Sequence, residues 1–246
     1  PEDRKDFFAW TNAMMFNQDE EMSGSREVAE TASANVIAYA MNLAEKFRDN
    51  PQDNILGALV NGHGGVDGLT EEEFTWFFLL LIVAGNESTR TITSHGMRLL
   101  MENPEQLQYL VDNPDKIAGA TEEMIRYNTA FIVMRRQCLQ DTEVGGQLIK
   151  KGEKIILHYH TVNHSEDVFG EDAMKFDVRR PERMPNMYNE HRAFGVGQHF
   201  CLGTHLARLE VQIMFEEIIP RMRNPKLQGE VSYTKSNLVN GIKNMR

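Results

Sequence analysis

Cysteine is scarce in this chain: Cys138 and Cys201 are the only two among 246 residues. Two cannot staple a protein of this length, and the scarcity points to a reducing compartment in which a thiol serves reactivity or packing. No disulfide is expected. Positive charge is short as well, with 26 Lys and Arg against 36 Asp and Glu, for a formal net charge of -10. An acidic surface gains nothing from phosphate pairing or counterion release, so general binding to nucleic acid or anionic lipid is not expected. A small molecule or another protein is the expected partner. Long hydrophobic runs are missing too. The most apolar window, residues 74–85 (FTWFFLLLIVAG), is too short for a bilayer and is bracketed by Glu71 to Glu73 and by Asn86 and Glu87. It reads as a buried helix in a protein that does not span a membrane. The opening PEDRKDFF carries no initiator Met, signal peptide or transit peptide, so the native amino terminus is expected to lie upstream.

What is present is ordinary globular material, 41% hydrophobic and 25% charged, enough to bury a core. Val28, Ala32, Val36, Tyr39, Ala40, Leu43 and Phe47 recur at three- or four-residue steps and predict one long amphipathic helix ending before Asn50-Pro51. A glycine-rich loop, residues 61–68, follows. Thr70 and Glu73 then form a capping-box signature for a second long helix reaching Leu100. Asn103-Pro104 and Asn113-Pro114 each predict a further helix start. Beyond Asn128 short β-type runs appear: FIVM at 131–134, then TEVGGQLI and KIILHYH around a Lys151-Gly152 turn. Residues 177–191 read as irregular. Leu202, Leu206, Leu209, Ile213 and Ile218 mark a last helix ended near Pro220. With no repeat and no linker, the expectation is a single, mainly α domain with a small β region over residues 1–246.

The irregular stretch leads into FGVGQHFCLG, residues 194–203, which sets a cysteine at the amino end of a helix. Unpaired N–H groups and the positive end of the helix dipole favour thiolate over thiol there. A thiolate can hold a haem iron axially and push electron density towards O–O cleavage. Gly195, Gly197 and Gly203 permit a tight turn and close approach to a flat macrocycle, and Phe194 is placed to shield the sulfur. The plainer alternative is one more buried cysteine. The four fixed positions of F-x-x-G-x-x-x-C-x-G argue against it. On Phe194, Gly197, Cys201 and Gly203 the chain resembles the cytochrome P450 superfamily, in its carboxy-terminal part.

That resemblance implies a set of roles. Cys201 would be the iron ligand of haem b, with His199 and Arg136 holding its propionates; Arg135 is the alternative to Arg136, and a strand-end surface charge the plain reading. Glu123 and Arg126 (E-x-x-R) share a helix face. By itself this spacing is also that of an exposed ion pair, but in the family it marks a buried pair tied to an arginine before the cysteine, here Arg180 or Arg183. In AGNEST, residues 84–89, Ala84 and Gly85 would face the distal side of the haem, and Glu87, Ser88 and Thr89 would relay protons, with Ser88 where threonine is commoner. Polar residues so deep in an apolar helix break local rules, which points to a site. Family position gives Leu81, Phe131, Ile132, Val133, Leu238 and Val239, together with Ala84, as the substrate wall.

The implied function is hydroxylation of a hydrophobic small molecule by O2, with electrons from NAD(P)H through a ferredoxin reductase and a ferredoxin. Bacterial members acting on sterol side chains or terpenoids are the more similar ones, and a cytoplasmic location goes with them. The chain is shorter than complete members, so a fragment is expected. Two rivals remain at this point: a zinc module using His199, Cys201 and His205, and a haem-binding remnant without turnover. A metal pair from His158 and His160 lacks a third ligand.

Overall fold

A computed structural model describes residues 3–22 and 25–246. Its elements fall into two compact units, residues 1–87 and 88–246. In the first, α1 (Arg4–Met15), α2 (Arg26–Asp49), α3 (Ile55–Asn61) and the first half of α4 (Glu71–Glu102) enclose a core. The α2 periodicity holds except at Val28, which is exposed: Val36 and Ala40 are buried, with Ala44 beside them, together with Val60, Phe74 and Phe78. Small residues on α2 admit an aromatic cluster in which Phe7 meets Tyr39 edge-on at 4.9 Å. The capping box before α4 is formed, with Thr70 N–H donating to Glu73 Oε2 at 2.9 Å and Glu73 N–H donating to Thr70 Oγ1 at 3.3 Å.

The apolar window at the start of α4 is only partly the buried helix expected. Phe74 and Phe78 are buried, but Trp76 and Leu80, on the opposite side of the turn, are exposed.

The second unit holds the rest of α4, then α5 (Pro104–Asp112), a 3-10 turn and α6 (Ile117–Tyr127). Asn103 and Asn113 do not cap the helices after them. Each side-chain amide instead donates back to the carbonyl four residues earlier, Leu99 and Tyr109, closing the preceding helix. Three two-stranded antiparallel sheets follow in the chain: β1 (Val133–Gln137) with β4 (Lys154–His158), β2 (Thr142–Val144) with β3 (Gln147–Ile149), and β5 (Ser232–Tyr233) with β6 (Ile242–Asn244). Four single-turn helices, α7 (Tyr159–Val162), α8 (Glu166–Phe169), α9 (Arg180–Arg183) and α10 (Met187–Glu190), lead to α11 (Thr204–Ile218). The core joins Ile92, Leu99 and Leu100 of α4 to Met124 of α6 and to Val211 and Phe215 of α11. Gly96 makes this crossing possible, because a Cβ there would lie 2.7 Å from both Met124 Sδ and Phe215 Cζ.

The last helix is found where its apolar stripe marked it, but that stripe is not its core face: Leu202, Leu206, Leu209 and Ile213 are exposed, while Thr204, Val211 and Phe215 are buried. The β-type run KIILHYH, read to carry both His158 and His160, stops at His158. His158 ends β4 and accepts from Thr161 N–H to cap α7, whereas His160 lies within that helix and stacks on His164 at 4.3 Å.

Candidate functional site

The segment before Cys201 turns sharply because Gly195 and Gly197 both take positive φ, 74° and 73°, a region costly for other L-residues. The turn is closed by Gly195 N–H donating to Arg192 O and by Cys201 N–H donating to Phe194 O at 3.0 Å. α11 begins three residues after the cysteine, not at it, and Thr204 N–H reaches Cys201 O at 3.4 Å. Both cysteines are unpaired as disulfides; Cys138 is buried in the β region, whereas Cys201 is half-exposed. Around it Val196, Phe200 and Leu202 turn apolar side chains outward. A Cβ at Gly197 or Gly203 would meet no atom within 4 Å, so uncovered backbone flanks the sulfur.

Behind this loop sits a buried ion network. Arg126 clamps Glu123 through Nε to Oε2 at 2.7 Å and Nη2 to Oε1 at 2.8 Å, with both side chains fully buried. Of the two candidate arginines it is Arg180 that reaches Glu123, with Nε 3.3 Å from Oε1. Arg183 stays at the surface on Asp172 and Asp177. Buried guanidinium groups persist only when their donors are spent. Those of Arg126 go to the carbonyls of Asn163 and Ala173, and those of Arg180 to Phe169 O, Asp172 and Lys175 O. The network therefore ties α6 to the whole stretch between α7 and α9.

A second network escaped the sequence reading. Arg208 of α11 grips Glu122 with Nε at 2.6 Å from Oε1 and Nη2 at 3.1 Å from Oε2, and His191 Nε2 lies 2.9 Å from Glu122 Oε2. Because Ala193 N–H donates to His191 Nδ1 at 3.3 Å, the ring proton belongs on Nε2 and is donated to the carboxylate. The Arg208 guanidinium also lies over the rings of Tyr188 (3.8 Å) and Phe194 (4.5 Å). Burial pushes the Glu122 carboxyl up, but His191 and Arg208 outweigh it and hold the group below its usual value. Asn163 ties the first network to the backbone next to His191: its carbonyl receives Arg126, its Oδ1 receives Arg192 N–H at 2.6 Å, and its Nδ2 donates to Thr129. The only sequence signal for these partners was E-E in TEEMIRY; Asn163, His191 and Arg208 are too scattered to form a short motif.

The sequence model of the family described as Cytochrome P450 matches residues 6–239. The chain belongs to the cytochrome P450 family. It is 36% identical over 244 residues to a steroid C26-monooxygenase of Rhodococcus jostii, covering 98% of this chain and 49% of that protein. It is 34% identical over 240 residues to a linalool 8-monooxygenase of Pseudomonas putida, covering 98% and 57%. Among solved structures, a Mycobacterium marinum cytochrome P450 in complex with pseudoionone superposes with a TM-score of 0.88 at 35% identity, covering 99% of this chain and 58% of that one. The fold is thus the P450 fold, and the chain spans about half the length of the curated relatives it matches.

The remaining P450 candidates are placed as follows. Glu87 is fully buried in α4, with Ala84, Ser88 and Thr89 half-buried beside it and Gly85 exposed; a Cβ on Gly85 would meet nothing within 4 Å. Leu81 is half-buried on the same helix. Arg136 is half-buried on β1 and Arg135 exposed, while His199 is exposed in a 3-10 turn before the cysteine. Phe131 and Val239 form a β-bridge, Ile132 N–H donates to Leu238 O at 2.9 Å, and Val133 opens β1. The structure thus brings residues 131–133 and 238–239 together, with Val239 buried and Leu238 half-exposed. Among the described residues no group of three His, Cys, Asp or Glu side chains is arranged to hold a metal ion, which leaves the zinc reading of His199, Cys201 and His205 without a ligand set. No helix among them is long and apolar enough to cross a membrane.

The residues around Cys201 fit a haem. The thiol is in no disulfide and is partly exposed, its apolar neighbours offer carbon surface to a porphyrin face, and Gly197 and Gly203 leave no Cβ in the way.

Proposed function

We propose that the chain is part of one haem-thiolate domain that hydroxylates a hydrophobic small molecule, with Cys201 as the ligand of haem b. The observation that carries the reading is the free, half-exposed Cys201 on a turn closed by its own N–H to Phe194 O. Haem held by a thiolate supplies O2 activation. The protein's part is to hold and to deliver. His199 and Arg136 would pair with the propionates, Phe194 would shield the sulfur, and Ala84 and Gly85 would leave room on the distal side. Glu87 would supply protons, and the hydroxyls of Ser88 and Thr89 would relay them inward, each oxygen accepting one proton as it gives up its own. A serine hydroxyl donates and accepts as a threonine does, though with less fixed geometry.

Leu81 on α4 and the paired apolar residues Phe131, Ile132, Val133, Leu238 and Val239 of the second unit would face substrate, which favours a hydrophobic one. Sterol side chains or terpenoids are supported by the names of the steroid C26-monooxygenase and the linalool 8-monooxygenase. Electrons would come from NAD(P)H through a reductase and a ferredoxin, in the cytoplasm.

The test is the absorption spectrum of haem-loaded, reduced protein under carbon monoxide. Wild type should show the red-shifted band of thiolate ligation, and Cys201→Ala should lose it. Retention of that band in Cys201→Ala would refute the assignment.

A further inference from the structure

His95 is a residue that neither the motifs nor the networks above use. It lies on α4 with only 2% of its surface exposed. Its Nε2 is 2.7 Å from the carbonyl oxygen of Asn240, and its ring stacks on Tyr233 at 6.0 Å and 22°. A carbonyl only accepts, so Nε2 carries the proton and Nδ1 is bare. Nδ1 is buried and has no hydrogen-bond partner among the described residues. Burial drives the imidazole pKa down to about 4, which keeps the ring neutral and this tautomer in place.

An unmet buried acceptor costs about 1–3 kcal/mol. Leucine or methionine would fill the same space without it. What only the imidazole supplies is one donor aimed at Asn240. Asn240 is strategically placed, because its backbone N–H donates to Ala130 O at 2.9 Å while its carbonyl takes His95. Two residues away the same seam repeats, with Ile132 N–H on Leu238 O and Phe131 bridged to Val239. The two apolar segments proposed to face substrate are thus zipped to each other, and His95 fastens the zip to α4.

We propose that His95 is a positioning residue for substrate specificity: by holding Asn240 it fixes where Leu238, Phe131 and Ile132 stand. The inference rests on the hydrophobic-substrate reading above.

The test uses His95→Phe, which keeps a flat ring and removes the donor, and His95→Gln, whose amide restores a donor. Hydrogen exchange on the whole chain should quicken about tenfold at the Ile132 and Asn240 amides in His95→Phe, equivalent to about 1.4 kcal/mol. The rise there should exceed any in α6, and His95→Gln should return towards wild type. In haem-loaded protein, linalool titrated against the substrate-induced absorbance shift should bind about tenfold more weakly to His95→Phe, with the carbon monoxide band intact and Gln again restoring affinity. Unchanged exchange at the two amides in His95→Phe would overturn the proposal, as would a Gln variant no better than Phe. A wild type lacking the thiolate band would sink the haem reading instead, while the exchange comparison would still decide the role of His95.

Discussion

Acid should destabilise the second unit through His95 before its carboxylates titrate. In the folded chain its pKa stands near 4 against 6.5 for a free imidazole, with burial the main cause and the nearby Arg98 charge adding to it, partly offset by the bond to Asn240 and by Glu102. Between those two values the unfolded chain binds a proton that the folded chain refuses. Stability is therefore complete above pH 6.5 and falls as pH drops towards 4. Integrating from pH 7 to pH 5 gives a loss of about 2 kcal/mol from this one residue, a sizeable share of a typical total of about 5–15 kcal/mol. His164 acts in the same sense: burial, with the charges of His160, Arg126 and Arg180, lowers its pKa to about 4 against a partial offset from its bond to His160 O. Glu122 and Asp172, whose pKa values are lowered, lose their contribution only below the ordinary carboxylate range, so pH 5 isolates the histidines. Trp10 and Trp76 both lie in residues 1–87, so fluorescence would follow the other unit. The assay is instead urea-dependent hydrogen exchange of α6 peptides at pH 7 and pH 5, corrected for intrinsic rates. Wild type should lose at least about 2 kcal/mol, and His95→Gln should lose about 2 kcal/mol less than wild type. Equal pH responses in the two proteins would refute the reasoning.

Three further outcomes are expected. Arg180→Met should destabilise by about 3–5 kcal/mol, because Glu123 loses a buried partner, whereas Arg183→Met at the surface should change stability by less than about 1 kcal/mol; urea midpoints decide, and equal effects would reverse the assignment of the third network member. Glu122→Ala strands Arg208 and His191, and should raise exchange at the Gly195 and Cys201 amides about thirtyfold, for a loss of about 2 kcal/mol; an unchanged rate would show that the loop holds itself. Gly195→Ala should cost about 1–3 kcal/mol, since φ is positive there and the new Cβ would stand 3.1 Å from Tyr159 Oη. Tyr159→Phe should relieve the steric part alone, and complete rescue would show that the backbone is unstrained.

The family and its cysteine loop were legible because their chemistry is packed into short windows. Gly197, Cys201 and Gly203 sit within seven residues of one another, and Glu123 and Arg126 within a single helical turn. Helix limits were legible where a local device sets them, as at Thr70 and Glu73. Burial was less so. Leu202, Leu206, Leu209 and Ile213 have the spacing of a core stripe, yet spacing reports only that one face is apolar, not that anything covers it. The choice between Arg180 and Arg183 was equally closed to sequence, since both precede the cysteine and only the fold brings one of them to Glu123. Glu122, Asn163, His191 and Arg208 lie tens of residues apart, and His95 bonds across 145 positions to a backbone carbonyl that has no side-chain signature.

The two networks explain how the exposed cysteine loop keeps its shape. A turn with two glycines at positive φ and few internal bonds would by itself sample many conformations. Here it is gripped at its root: Arg192 N–H is held by Asn163, whose carbonyl is in turn bonded to the Arg126 of the buried network. It is gripped again at Phe194, which lies under an Arg208 already fixed by Glu122 and Thr204. Both grips start from α6, where Glu122 faces one network and its neighbour Glu123 the other. Two consecutive carboxylates can serve different faces because successive helical residues point about 100° apart. The conformational entropy of the loop is thus spent in folding α6 against its partners, so a ligand meeting Cys201 finds the sulfur already placed.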